Sequence, residues 1–158
     1  MSIDPIQESR KPGLWRRLRM AQRILFGKPP RSGVTQDALV QLVLDNVDAA
    51  ITVYDAQGRL IRANKGAERL SGFSFAELQR PETWQHIIPG SDFNRVEAIV
   101  TGRRAQDFPI INVNPWVHKD GTRRLLRWSN VALPDPLGDI ALIVCIGFDI
   151  TDQQQTEI

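Results

Sequence analysis

Catalysis needs a nucleophile beside a base, paired carboxylates in a cleft, or a ligand cluster for a metal, and few residues of this chain could supply any of these. His86 and His118 are the only imidazoles and Cys145 is the only thiol. No Cys-x-x-Cys or His-x-x-x-His spacing exists, so a zinc or iron site has no local ligand pair. A glycine-rich phosphate loop is also missing, and the carboxylates are spread as ordinary solvated charges. Cys145 lies inside the apolar run from Ile140 to Ile146, where a cysteine serves as a small core residue. The residue set speaks against an enzyme and leaves recognition as the chemistry to be positioned.

The chain has 158 residues, 42% of them hydrophobic, enough for one core of roughly 100–120 residues and a tail. A single cysteine rules out an intrachain disulfide and fits a reducing, cytosolic setting. Charge is uneven: residues 1–31 carry eight Lys/Arg against Asp4 and Glu8, whereas the remainder is mildly acidic. No apolar stretch approaches the roughly 20 residues that span a bilayer, and the N-terminus lacks the apolar region of a secretory signal. A cytoplasmic location is expected.

Residues 1–34 are punctuated by Pro5, Pro12, Gly13, Gly27, Pro29, Pro30 and Gly33, which isolate one helix-capable stretch, 14–26. There Leu14, Trp15, Leu18, Ala21 and Leu25 share one side, while Arg16, Arg17, Arg19 and Arg23 lie mostly elsewhere. Such a basic amphipathic segment suits a peripheral anchor on anionic lipid at the inner membrane face, or a nucleic-acid contact. A solubilising tail or a helix docking on a partner chain accounts for it equally. Met20 and Ile24 on the polar side weaken the lipid reading, and of the two ligands the lipid surface is kept ahead of nucleic acid.

A flanking helix is expected over 35–48, with Thr35 as N-cap and an apolar stripe of Leu39, Leu42, Val43 and Val47. The pattern then alternates through Ile51, Val53 and Leu60-Ile61 around the turn Asp55-Ala56-Gln57-Gly58, describing a hairpin. From 64 to 102 it becomes helical in short pieces, 64–70, 74–78, 82–88 and 92–101, broken by Gly72, Pro81, Pro89-Gly90 and Gly102. Ser74 with Glu77 is a capping-box pattern, and Asp92 is a candidate cap for the last helix. Three strands follow, about 109–118, 122–133 and 139–148. Two strands, grouped helices and three strands joined by short turns describe an α+β domain with the helices on one face of a single sheet.

In this order the sequence resembles the PAS family over residues 36–151. The resemblance is carried by Asp55-x-x-Gly58, Ala63-Asn64, Leu70-x-Gly72-Phe73 with Glu77-Leu78, and Trp84 with Ile88-Pro89. Lys119-Asp120-Gly121, Arg127-Trp128-Ser129 and Asp149-Ile150-Thr151 complete it. It implies a five-stranded antiparallel sheet in the order 2-1-5-4-3, a PAS domain over 49–151, and a helix starting within 152–158 that leads to an effector outside this chain. Histidine kinases and cyclic-di-GMP synthases or phosphodiesterases are the effectors the family implies. A homodimer using the flanking helix is expected, and Asp149 and Thr151 become the residues that couple the last strand to the exit helix. The alternative is a ligand-free interaction scaffold targeted to a membrane surface by its N-terminus.

The resemblance also frames the cofactor question. The light-sensing flavin branch uses a cysteine on the helices, and residues 64–102 contain none. Haem-binding relatives place a histidine on the long helix, where 92–103 has none. With the flavin-binding relatives' strand parity carried over, the helix-facing residues are Asn112, Asn114 and Trp116, then Leu126, Trp128 and Asn130, then Ile143, Cys145 and Gly147. Asn112, Asn114, Trp116, Trp128 and Asn130 are thus the candidate pocket, with inward asparagines seeking partners and with Cys145 and Gly147 leaving space. A one-residue slip would turn the amides outward. The expectation is a pocket without a permanent cofactor, with FAD the cofactor retained, haem set aside and no metal.

Overall fold

The computed structural model describes residues 33–156. By contacts the chain divides into two units, residues 1–40 and 41–158. The basic segment 14–26 lies outside the described residues.

Helix α1 (Gln36–Asn46) begins where Thr35 Oγ1 accepts from Ala38 N at 3.1 Å. Its apolar stripe is unburied, with Leu42 62% and Val43 56% exposed. Strands β1 (Ala50–Asp55) and β2 (Leu60–Ala63) form the expected hairpin. Asp55 Oδ1 accepts from Gln57 N and Arg59 N, and Gly58 closes the turn at φ +76°, a conformation that glycine adopts without a Cβ clash.

Four short helices follow: α2 (Lys65–Ser71), α3 (Phe75–Leu78), α4 (Pro81–Ile87) and α5 (Asp92–Val100). The capping box at Ser74 and Glu77 forms in full. Pro81 occupies the first turn of α4, where its missing N–H is harmless. Asp92 does not cap α5. Backbone at Ser91 is already helical and carries no side-chain cap, so Asp92 falls in the first turn and pairs with Arg95 at 2.8 Å.

A 3-10 turn (Ala105–Asp107), absent from the sequence reading, leads into β3 (Ile110–Val117), β4 (Arg123–Pro134) and β5 (Ile140–Asp149), and α6 (Thr151–Thr156) leaves the sheet. The sheet is five-stranded and antiparallel, in the order β2-β1-β5-β4-β3. The α+β architecture with strand order 2-1-5-4-3 is therefore as expected. Glu77 joins α3 to the β3–β4 turn through Lys119 at 2.8 Å. That ammonium, with the Ser74 N–H, holds the Glu77 carboxyl down at about 2.

The core lies between the helices and the inner sheet face, around Leu78, Ile87, Trp116, Leu126 and Ile143. The outer sheet face stays apolar and open, with Ile111, Val113, Val131, Leu133 and Phe148 all more than 40% exposed. At its β3 edge two backbone positions cannot take part in pairing: Arg95 Nη2 donates to Val113 O at 3.1 Å, and Pro115 has no N–H.

Candidate functional site

Antiparallel register decides which side chains meet. Asn112 pairs with Trp128, Ile110 with Asn130, Trp128 with Gly147 and Asn130 with Cys145, so these even and odd positions share one face. That face looks toward the helices and floors a cavity of about 600 Å³. Asn112, Asn114, Trp116, Trp128 and Asn130 all line it, beside Cys145, Thr52 and Tyr54. Leu78, Trp84, Ile88, Phe93, Val96 and Val100 cover them from the helical side. Thr52 and Tyr54 were not singled out from sequence. Alternation along β1 was the available signal, because Thr52 pairs with Cys145.

The chamber has an aromatic wall. Ring centroids lie 6.3 Å apart for Tyr54 and Trp84, 5.6 Å for Trp84 and Trp116, and 5.0 Å for Trp116 and Trp128. Trp84 is fixed by its Nε1 donating to Leu78 O at 2.7 Å. Trp128 is not fixed in that way: its Nε1 is buried without a hydrogen-bond partner.

The asparagines partner one another before any ligand is considered. Asn130 Nδ2 donates to Ile110 O at 2.8 Å and to Asn112 Oδ1 at 2.7 Å, Asn112 Nδ2 to Asn114 Oδ1 at 3.0 Å, and Asn114 Nδ2 to Pro115 O at 3.2 Å. The inward asparagines thus find the partners they were expected to seek, in one another and in backbone carbonyls. Gly147 also differs from expectation, because it does not open space. The Trp128 ring lies against it, 2.7 Å from where a Cβ would stand.

Among the described residues, none places a fixed charge in the interior of the chamber. Burial raises the Tyr54 phenol well above its ordinary range and pushes the Cys145 thiol up to about 12, so both stay protonated. Charged side chains line only the rim, where Asp55 and Arg59 pair at 2.7 Å beside the exposed Glu97.

These residues decide which groups fit. Haem finds no histidine in the lining. His86 is exposed and packs edge-on against Phe73 at 5.5 Å. A protonated thiol is a poor ligand or nucleophile, which removes Cys145 from both roles. Among the described residues no cluster of His, Cys, Asp or Glu is placed to hold a metal. The aromatic wall offers stacking faces and the amide floor hydrogen-bond groups, which is the chemistry that the isoalloxazine of FAD would need.

Asp149 and Thr151 lie at the sheet's exit. Asp149 Oδ1 accepts from the N–H and hydroxyl of Thr151, and Thr151 Oγ1 accepts from Leu125 N at 2.9 Å. Ile150 N donates to Leu125 O at 2.9 Å, and Arg124 reaches Asp149 at 3.3 Å. Helix α6 is therefore anchored to β4 as well as to β5. Arg124 and Leu125 were missed in the sequence, since nothing local announces a contact made 25 or 26 residues away.

The family model described as "PAS fold" matches residues 44–155. Solved structures with the same architecture include an RNA-binding light-oxygen-voltage receptor (19% identity, TM-score 0.63, 82% of this chain and 38% of that one). A domain of a sensory box sensor histidine kinase/response regulator from Geobacter sulfurreducens is also similar (19%, 0.57, 72% and 94%). So is the N-terminal domain of a diguanylate cyclase with PAS/PAC sensor from Marinobacter aquaeolei (17%, 0.58, 67% and 98%). The chain spans well under half of the receptor and nearly all of the two isolated domains. A search of curated proteins returned no match. No helix among the described residues is long and apolar enough to cross a membrane.

Proposed function

Because this chain belongs to the PAS family, we propose that it is a sensor and dimerisation module that controls an effector joined beyond α6. Occupancy of the chamber would shift the population between two arrangements of the sheet and exit helix. One observation carries the reading: β4 contributes both Trp128 and Asn130 to the chamber floor and Arg124 and Leu125 to the anchor of α6. A change that bends β4 at Trp128 has only three or four residues to cross before it reaches Leu125 and Arg124. A histidine kinase or a cyclic-di-GMP enzyme is the effector class supported by the similar domains from Geobacter and Marinobacter.

Hydrogen exchange tests the coupling. Gly147→Ala forces the Trp128 ring to move, because the new methyl would stand 2.7 Å from it. Exchange at the α6 amides is expected to speed up about tenfold, since local opening there is held by few bonds. Thr151→Val should free α6 alone and leave tryptophan fluorescence unchanged. Unaltered α6 exchange in Gly147→Ala, with Trp128 visibly displaced, would refute the coupling.

Dimerisation rests on the two open apolar surfaces, Leu42 and Val43 on α1 and the outer sheet face. The apolar residues lie on the sheet's face, and the occupied Val113 carbonyl and Pro115 weigh against pairing along β3, so face-to-face docking of a second copy is the arrangement proposed. Light scattering is expected to give twice the chain mass for the wild type and the single-chain mass for Leu42→Glu/Val43→Glu. A wild type that stays monomeric at high concentration ends this part of the proposal.

A further inference from the structure

We propose that α5 is the door of the chamber: it swings as a unit on Gly90 and Gly102, it is latched shut by Arg95 on the edge of β3, and its opening admits small molecules to the interior. The inference rests on the chamber being the sensing site, and it names the step that controls access to it.

The segment is built to move apart from its neighbours. α5 turns Phe93, Val96, Ile99 and Val100 toward the chamber and leaves Asn94, Arg95 and Ala98 exposed. Gly90 and Gly102 flank it, both at φ +66° with nothing within 4 Å of a Cβ, so the backbone at either end can turn without displacing a packed group. Its N-terminus has no side-chain cap. Its C-terminal bonds, from Thr101 Oγ1 to Glu97 O and from Arg103 Nε to Ala98 O, stay inside the segment and travel with it. The other short helices are held differently. Asn64 caps α2, Ser74 and Glu77 form the capping box of α3, and Thr83 Oγ1 and Trp84 Nε1 tie α4 to Glu77 O and Leu78 O.

Among the described residues, Arg95 makes the one hydrogen bond from residues 91–103 to the sheet, Nη2 to Val113 O at 3.1 Å. Asp92, three residues earlier, holds the same nitrogen at 2.8 Å and aims it. Val113 lies on the edge strand between Asn112 and Asn114, both of which floor the chamber, so the latch ties roof to floor. At its other end the door closes on the β1–β2 turn, where a Cβ on Gly58 would stand 2.8 Å from Thr101 Cγ2 and 3.0 Å from Val100 O. A single charge-assisted bond at an exposed site keeps such a segment closed for most of the time and still lets it open far more often than the domain unfolds.

Cys145 supplies the readout, because it is the only thiol in the chain and it lines the chamber. The full chain is labelled with 4,4′-dithiodipyridine, an uncharged disulfide, and amide exchange is followed in parallel. Arg95→Met keeps the stem and removes the latch. It is expected to speed both Cys145 labelling and exchange over residues 93–101 about tenfold, the effect of losing one charge-assisted bond, while the β5 amides keep their wild-type rate. Asp92→Asn should act in the same direction by a smaller factor, and Arg103→Met, which breaks a bond internal to the segment, should leave labelling unchanged. Unaltered labelling in Arg95→Met, faster α5 exchange without faster labelling, or acceleration of the β5 amides by the same factor would each overturn the proposal, as would equal acceleration in Arg103→Met. None of these outcomes touches the sensor reading, which is decided by whether α6 exchange responds to displacement of Trp128.

Discussion

Replacing Gly66 with alanine is expected to cost about 3 kcal/mol or more and to lower the melting temperature by about 10–20 °C. The reason is steric. Gly66 opens α2 beneath the segment that enters β1, and a Cβ there would stand 2.0 Å from Ala49 O and 2.8 Å from Ala49 C. Backbone atoms cannot rotate aside as a side chain can, so either α2 or the start of β1 must move. Ala50 and Ala67, both fully buried beside this contact, leave no slack. Gly90→Ala is the comparison: that glycine has φ +66° with nothing within 4 Å of a Cβ, so it should lose only about 1 kcal/mol of conformational strain. Thermal melts of the two variants decide the matter. Equal losses would show that the close approach at Ala49 is soft.

The same contact shows what could and could not be read from the residues. Strand order, the Ser74–Glu77 capping box and the inward face of β3 and β4 follow from local pattern joined to a family resemblance, because period and turn chemistry act within a few residues. What was misread depends on packing between distant segments. Gly147 looked like room for a ligand, yet Trp128 fills that room from the neighbouring strand. The inward asparagines looked orphaned, yet three of them on adjacent strands satisfy one another. Asp92 looked like a cap because it is an acid near a helix start, but the cap position is one residue earlier. The anchor of α6 on Arg124 and Leu125 had no local signal at all.

These corrections sharpen the functional reading. A floor whose amides are already linked is pre-organised, so a ligand meets fixed donors instead of adaptable side chains. Trp128 is the exception, combining an unpartnered N–H with a tight seat on Gly147. It also sits on β4 between the chamber and the α6 anchor. A residue that is under-satisfied and mechanically confined is where occupancy of the chamber has the most leverage on the strand.

Asn64 does for the entrance of the domain what Asp149 and Thr151 do for its exit, and removing it should be comparably severe. The side chain is 1% exposed and makes four bonds. Oδ1 accepts from Ile51 N at 2.8 Å and Ala67 N at 2.9 Å, while Nδ2 donates to Leu44 O at 2.7 Å and Ala49 O at 2.9 Å. It therefore caps α2 and welds the end of α1 to the start of β1 in one step. Asn64→Ala should cost about 3–5 kcal/mol, because it strands two buried N–H groups and two carbonyls. Asn64→Asp separates the two roles: it keeps both accepted bonds and sets a carboxylate oxygen against Leu44 O and Ala49 O. If the cap alone mattered, the aspartate variant would lose under about 1 kcal/mol. The weld predicts a loss above about 2 kcal/mol, with faster exchange at residues 44–51 and α2 still protected. Urea melts read the first quantity and hydrogen exchange the second. A stable aspartate variant with unchanged exchange over 44–51 would mean that α1 is not mechanically joined to the sheet through Asn64, and that any signal entering along α1 must reach β1 by another route.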